Sequence, residues 1–217
     1  MKSRLHVTIK FAQSVDGRIA AATGDSKWIS NLESRKYAHK LRKENDAILV
    51  GINTVLKDDP ILDVRLVKGK NPIRVILDTN LRLPMDSQIV ETASKIKTIV
   101  VTSQFGKPVK MKKLEEKKIR IIKIAIKNKK VDIKKMLQKL NGMGVEKILV
   151  EGGSSIITSF IRENLVDKIV VIIAPKIIGE GINSVSDLKT TNINKAKKLR
   201  LDKVIKKKQD VILIYRA

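Results

Sequence analysis

Apolar and polar positions alternate strictly through Leu5-His6-Val7-Thr8-Ile9-Lys10-Phe11, the period-two pattern of a strand with one buried face. Ala47-Ile48-Leu49-Val50 is different: a short unbroken apolar run, with charge before it and Gly51 after it. It predicts a strand buried on both faces. Further strands are expected at Ile73–Leu77, Thr98–Thr102, Ile119–Ile124, Lys147–Val150, Lys168–Ala174 and Val211–Tyr215. Between them the period changes. Ile133, Met136, Leu137 and Leu140 fall at i, i+3, i+4 and i+7, a helix stopped by Gly142 and Gly144. Ile156, Ile157, Phe160 and Ile161 form the apolar face of another helix. Ser30 and Glu33 make a capping box that opens a helix to about Lys43, from which Arg35, His39 and Arg42 project. The stretch from Gly179 to Lys208 is polar and charged and predicts nothing firm.

Strands alternating with helices define an α/β fold with a mainly parallel central sheet flanked by helices, antiparallel near its C-terminal edge. No internal repeat and no Pro- or Ser-rich linker interrupts the chain, so residues 1–217 are expected to form a single domain.

Composition narrows the function. Hydrophobic residues are 42% and aromatics 3% of the 217 residues, so the core must be Ile, Leu and Val. No apolar run reaches the roughly 18 residues that a membrane-spanning helix needs. The start, MKSRLHVTIK, lacks the apolar centre of a signal peptide. A cytoplasmic protein without membrane association is expected. The absence of cysteine excludes disulfides and thiolate zinc sites. His6 and His39 lack H-x-E or H-x-x-x-H partners, and no metal is expected. The formal charge of +24 could neutralise nucleic-acid phosphates. However, the basic runs Lys110–Lys118, Lys127–Lys135 and Lys195–Lys208 are not interleaved with aromatic residues, and no nucleic-acid module stands out. The charge reads as a solvated surface that suits phosphorylated ligands.

Two stretches carry chemistry. In Val50–Arg65, a buried strand opens onto the Thr54 hydroxyl, the carboxylates Asp58 and Asp59, and Arg65; Pro60 pushes Asp59 out of helical conformation. The acids either cap local amides or bind a ligand. In Val150-Glu151-Gly152-Gly153-Ser154-Ser155, a strand, two glycines and a helix start present free amides and the positive end of a helix dipole, an arrangement suited to phosphate or pyrophosphate. Trp28 either covers an apolar patch or stacks on a planar ring.

Five segments occur together and in order: Ser14-Val15-Asp16-Gly17-Arg18, Gly24-Asp25-Ser26-Lys27-Trp28-Ile29, Thr54-Val55-Leu56-Lys57-Asp58-Asp59-Pro60, Glu151-Gly152-Gly153 and Ala174-Pro175-Lys176. From about Leu5 to Tyr215 the chain resembles the pyrimidine reductase of riboflavin biosynthesis. That enzyme is the reductase half of the bacterial bifunctional deaminase/reductase, and stands alone in archaea and fungi. The resemblance implies a dihydrofolate-reductase-like fold, a homodimer, NADPH as cofactor (NADH left open) and a phosphorylated ribosylaminopyrimidine as substrate, the diamino form favoured. It implies cofactor contacts at Ala12, Trp28, Thr54, Asp58, Thr79 and Gly153–Ser159, that is Gly153, Ser154, Ser155, Ile156, Ile157, Thr158 and Ser159. Substrate contacts are implied at Ser26, Arg42, Leu62, Arg65 and Glu151. Asp58 and Glu151 are candidate proton donors, beside a water or the substrate phosphate, and by analogy with that fold the Gly152–Gly153 peptide is expected in cis. Arg42 and Arg65 suit a 5′-phosphate through forked, charge-assisted bonds.

Two features depart from the family pattern: Asp63 stands where Thr is common, and Gly179-Glu180-Gly181 replaces paired glycines. The deaminase zinc site needs cysteines, so this stretch of chain is not expected to deaminate. The rival readings are a dihydrofolate or pterin reductase on the same fold and a basic nucleic-acid-binding protein.

Overall fold

In chain order the elements begin with β1 (His6–Ser14), β2 (Arg18–Ala21), α1 (Leu32–Lys43), β3 (Ala47–Gly51), α2 (Ile52–Asp58), β4 (Ile73–Leu77), α3 (Gln88–Glu91) and β5 (Thr98–Ser103). Next come α4 (Pro108–Glu116), β6 (Ile119–Ile124), β7 (Ile126–Lys127), β8 (Lys130–Val131), α5 (Ile133–Gly142), β9 (Lys147–Val150) and α6 (Ser154–Arg162). The last are β10 (Lys168–Ala174), β11 (Gly181–Asn183), a 3-10 turn at Ile193–Lys195, β12 (Arg200–Lys207) and β13 (Asp210–Arg216). This computed structural model describes residues 4–217; the three before them, part of the stretch read against a signal peptide, lie outside the description. The fold is α/β, with mostly parallel strands flanked by helices.

The chain divides into two units. Among the described residues, one comprises Arg4, Leu5 and Lys40–Leu149; the other comprises His6–His39 and Val150–Ala217. In the first, the strand order is β9-β3-β4-β5-β6, and β3, β4, β5 and β6 pair in parallel. Parallel strands are covered on both faces, which is why their sequences read as continuous apolar runs. All of β3 and β5 is buried. Ile48, Val50, Ile76 and Val100 pack with Val55 of α2, Ile89 of α3 and Leu114 of α4. The apolar stripe of α5 is buried as its spacing predicts, Asp132 capping the helix by accepting from Lys135 N at 3.1 Å.

In the second unit the order is β12-β13-β10-β1. β1 and β10 are parallel, while β13 runs antiparallel to both β10 and β12, the expected antiparallel C-terminal edge. Thr8 is buried, so β1 is covered on both faces more fully than its alternation implies. β12 was not foreseen. It lies at the sheet edge with most of its side chains in water, and a strand with no buried face leaves no apolar pattern.

Two local expectations are corrected. Ser30 does not cap α1; Asn31 does, its Oδ1 accepting from Ser34 N at 3.0 Å, while Glu33 pairs with Lys36. Likewise, the Gly152–Gly153 peptide is trans, since no cis bond occurs among the described residues. Gly152 has a packing role: a Cβ there would stand 2.6 Å from Cβ of Ile156 in the first turn of α6.

Candidate active site

Within the second unit, Glu151 follows Val150 at the start of the segment that leads into α6, and β1 places Lys10 beside it. Lys10 Nζ lies 3.4 Å from Glu151 Oε2, with the two side chains 14% and 10% exposed. At this burial an ion pair holds its members in place, because either charge alone would face a large desolvation cost. Lys10 was missed in the sequence. It looks like an ordinary polar position of an alternating strand, and its partner is 141 residues away.

Directly after Glu151, Gly153 (φ −71°, ψ 173°) serves as N-cap of α6 without any side-chain cap. Its carbonyl accepts from Ile156 N and Ile157 N at 3.0 and 3.2 Å. No side chain caps the first turn of α6, so its leading amides are left to the backbone, to solvent or to a ligand. The side chains divide. Ser155 is exposed, and its carbonyl accepts from the Ser159 hydroxyl at 2.8 Å. Ile156 is half-buried, whereas Ile157 is fully buried and Thr158 nearly so. Thr158 Oγ1 donates to Ser154 O and accepts from Ser186 N, and Ser154 Oγ meets Ser186 Oγ at 2.6 Å. In Ile157 and Thr158 the side chains serve the interior.

Ala12, Ser26 and Trp28 line one cavity of about 210 Å³, together with Arg35. Trp28 is 62% exposed, and the Arg35 guanidinium carbon sits 4.0 Å from its ring centroid. Neither sequence alternative, covering a patch or stacking on a ligand ring, included this cation. The turn after β1 is equally specific. Gly17 takes φ +82°, and the Asp16 carboxylate accepts from Ser14 Oγ at 2.5 Å, Ile178 N at 3.1 Å and Gly179 N at 2.7 Å. The Ser14 hydroxyl first, then the Gly179 amide, hold the Asp16 pKa down at about 2. The Gly179-Glu180-Gly181 departure has a structural meaning here. Gly179 adopts φ +76°, and Gly181 pairs so closely with β2 that a Cβ would meet Ala20 O at 2.4 Å.

Within the first unit, α2 carries Thr54, half-buried, and ends at Asp58, which is exposed. Asp59 follows in the left-handed region (φ 37°, ψ 60°). Its carboxylate accepts from Gln88 N at 2.9 Å, a capping role played toward α3 and not toward its own turn. Leu62 is buried in the core at φ 58°, an uncommon conformation for leucine that the surrounding packing must enforce. Arg42 and Arg65 both reach residue 63: Arg42 Nη1 donates to Asp63 O at 2.9 Å, and Arg65 Nη1 pairs with the Asp63 carboxylate. The two expected phosphate ligands thus meet at residue 63, Arg65 at the carboxylate that departs from the family pattern and Arg42 at the main-chain carbonyl. Thr79 is half-buried; its carbonyl accepts from Ser103 N at 3.2 Å and its hydroxyl from Val131 N at 3.3 Å.

The residue that builds this loop is Arg74, fully buried on β4 and not singled out by the sequence. Its guanidinium donates to the carbonyls of Ile61 (3.1 Å), Ile89 (2.9 Å) and Ile96 (3.2 Å) and to the hydroxyls of Thr92 and Thr98. Burial lowers its pKa to about 10. An arginine inside the apolar run Ile73–Leu77 was the available signal.

The elements make an α/β fold with a mostly parallel sheet flanked by helices. Solved structures agree. The chain superimposes on dihydrofolate reductase from Enterococcus faecalis with a TM-score of 0.53 at 12% identity, a likeness of fold. It superimposes on RibD from Acinetobacter baumannii with a TM-score of 0.85 at 26% identity, covering 98% of this chain and 58% of that one. Residues 5–213 match the RibD C-terminal domain family, and the chain belongs to that family. It is 42% identical to the riboflavin biosynthesis protein RibD of Aquifex aeolicus over 99% of its own length and 58% of that protein's, so it spans little more than half of that relative. It is 37% identical to the 2,5-diamino-6-ribosylamino-4(3H)-pyrimidinone 5′-phosphate reductase of Methanothermobacter thermautotrophicus, covering 85% of this chain and 88% of that protein.

Proposed function

We propose that the chain is an NADPH-dependent reductase that converts 2,5-diamino-6-ribosylamino-4(3H)-pyrimidinone 5′-phosphate to its ribitylamino product, with residues 1–217 acting as one domain. Family membership and the likeness to the archaeal enzyme of that name support the reaction. The structural observation that carries it is the Lys10–Glu151 pair at 3.4 Å, immediately ahead of a helix start that no side chain caps.

The uncapped start of α6 fits the diphosphate of a nicotinamide dinucleotide, with backbone amides at Ser154 and Ser155 as donors. Bound NADPH would supply a hydride for C1 of the opened sugar imine. The remaining work falls to this chain. Arg42 and Arg65, gathered at Asp63, hold the 5′-phosphate. Glu151 accepts from pyrimidine amino groups or sugar hydroxyls and is the first candidate to pass a proton to the imine nitrogen, the Lys10 ammonium beside it supplying that proton to the carboxylate; Asp58 is the second candidate. Ala12, Trp28, Thr54 and Thr79 serve the cofactor, and the 2′-phosphate that distinguishes NADPH from NADH is held near Thr79, Asn80 or Ser103. Ser26 and the backbone at Leu62 serve the substrate.

Cytoplasmic location and a homodimer complete the reading. Apolar Leu199, Leu201 and Val204, exposed at the β12 edge, support the dimer. Initial rates with NADPH and NADH, each against the diamino substrate, its deaminated form and dihydrofolate, test the assignment. The expected order puts the diamino phosphate with NADPH first; turnover of dihydrofolate alone would overturn it.

A further inference from the structure

Trp28 is the chain's only tryptophan and stands largely in water, yet two cations contact it, one at the ring and one at the backbone. Arg35 covers its ring at 4.0 Å, and Lys176 Nζ donates to its backbone carbonyl at 2.7 Å. An exposed indole without such contacts changes rotamer on the ps–ns scale. Neither cation is adventitious to the loop. Arg35 Nε is buried without a hydrogen-bond partner among the described residues, so no bond at that atom competes with the stack for control of the guanidinium. Lys176 is fixed through the main chain: Val15 N donates to its carbonyl at 2.8 Å, and Asp16 accepts from Ile178 and Gly179 just beyond it. The Ser14–Arg18 and Ala174–Lys176 segments, which no binding role absorbs, thereby act together on the Trp28 loop.

We propose that Arg35 and Lys176 are positioning residues that hold the Trp28 indole at the edge of the cavity it lines with Ala12 and Ser26, preset to pack against a planar ring of the ligand. A guanidinium on one ring face leaves the other available, and an indole fixed beforehand spares the ligand the entropy of ordering it. The inference rests on the reductase reading only for the identity of that ligand.

Because Trp28 is the sole tryptophan, its emission reports the clamp directly. Arg35→Met, Arg35→Lys and Lys176→Met are compared with the native chain by acrylamide quenching without ligand, by NADPH titration and by steady-state kinetics. In Arg35→Met we expect stronger quenching, an NADPH Kd raised about two- to fivefold and kcat unchanged within about twofold, as loss of one exposed cation–π contact implies. Arg35→Lys restores part of both effects, since an ammonium also sits on an indole face, and Lys176→Met raises quenching with its ring stack intact. A purely structural role would lower thermal stability and leave Kd and quenching of the folded fraction unchanged. Native quenching in both Met variants would overturn the inference. Raised quenching in the variants, with no NADPH binding by the native chain, would support the clamp and overturn the reductase reading.

Discussion

Lys10 Nζ and Glu151 Oε2 lie 3.4 Å apart although 141 residues separate them, and the pair sits where β9 ends and the glycines before α6 begin. Removing one member strands the other in a poorly hydrated place. Lys10→Met should therefore cost about 3 kcal/mol of stability. Glu151→Gln keeps the shape and removes the charge, and should lower kcat about 100-fold, the scale of a lost proton-transfer group. Urea denaturation checks the first and saturating steady-state assays the second; a Glu151→Gln enzyme within threefold of native would remove Glu151 from the chemistry.

Arg65→Ala should raise KM for the phosphorylated substrate roughly 10- to 100-fold, the loss expected for a charge-assisted hydrogen bond. The dephosphorylated substrate is the control. It should bind native and variant enzymes equally, and equal losses for both substrates would mean that Arg65 does not hold the phosphate.

Arg74→Met should be the most destabilising of these changes, by about 3–5 kcal/mol, because it removes the guanidinium donor from the carbonyls of Ile61 and Ile89 and leaves Ile96 O only the Thr98 hydroxyl. The Ile61 carbonyl lies just ahead of Leu62 and Arg65, so the folded fraction should also show a raised substrate KM. Chemical denaturation combined with kinetics below the transition separates the two effects.

Asp16 sets an acid dependence. Its folded pKa is about 2 against an ordinary 3.8, so its contribution is present in full above the unfolded value and is lost as pH falls from there through about 2. Asp16→Asn should accordingly be less stable than the native chain by a constant amount above about pH 5, with the gap closing toward pH 2. Paired urea titrations at pH 6 and pH 2.5 read this directly. A gap that persists undiminished at pH 2.5 would mean the carboxylate charge does not fasten the loop.

What the sequence made legible follows from what leaves a local pattern. β3 and β5 are buried on both faces and read as continuous apolar runs; α5 buries one stripe and reads at period 3.6. Asp59 leaves the helix because Pro60 follows it. The pairing of Lys10 with Glu151 leaves no such trace, because strand order and register bring them together and neither residue's neighbours record it. Arg74 hid inside an apolar run that looked complete without it. β12 was invisible for the opposite reason, since an edge strand of Arg, Lys and Asp with few buried positions resembles a solvated loop. Asn31 displaced Ser30 as the cap of α1 because its side-chain NH2 and backbone N–H are both engaged by the C-terminal hairpin, with Asn31 Nδ2 donating to Lys207 O and Asn31 N to Asp210 Oδ2, while Oδ1 accepts from Ser34 N.

The decisive measurement is to mix the purified chain with NADPH and 2,5-diamino-6-ribosylamino-4(3H)-pyrimidinone 5′-phosphate, following reduced-nicotinamide absorbance and product mass together. The expected result is stoichiometric loss of NADPH with a product heavier by two hydrogens, located in the opened sugar chain. Unchanged absorbance and an unaltered substrate mass, from a chain shown to be folded, would contradict it.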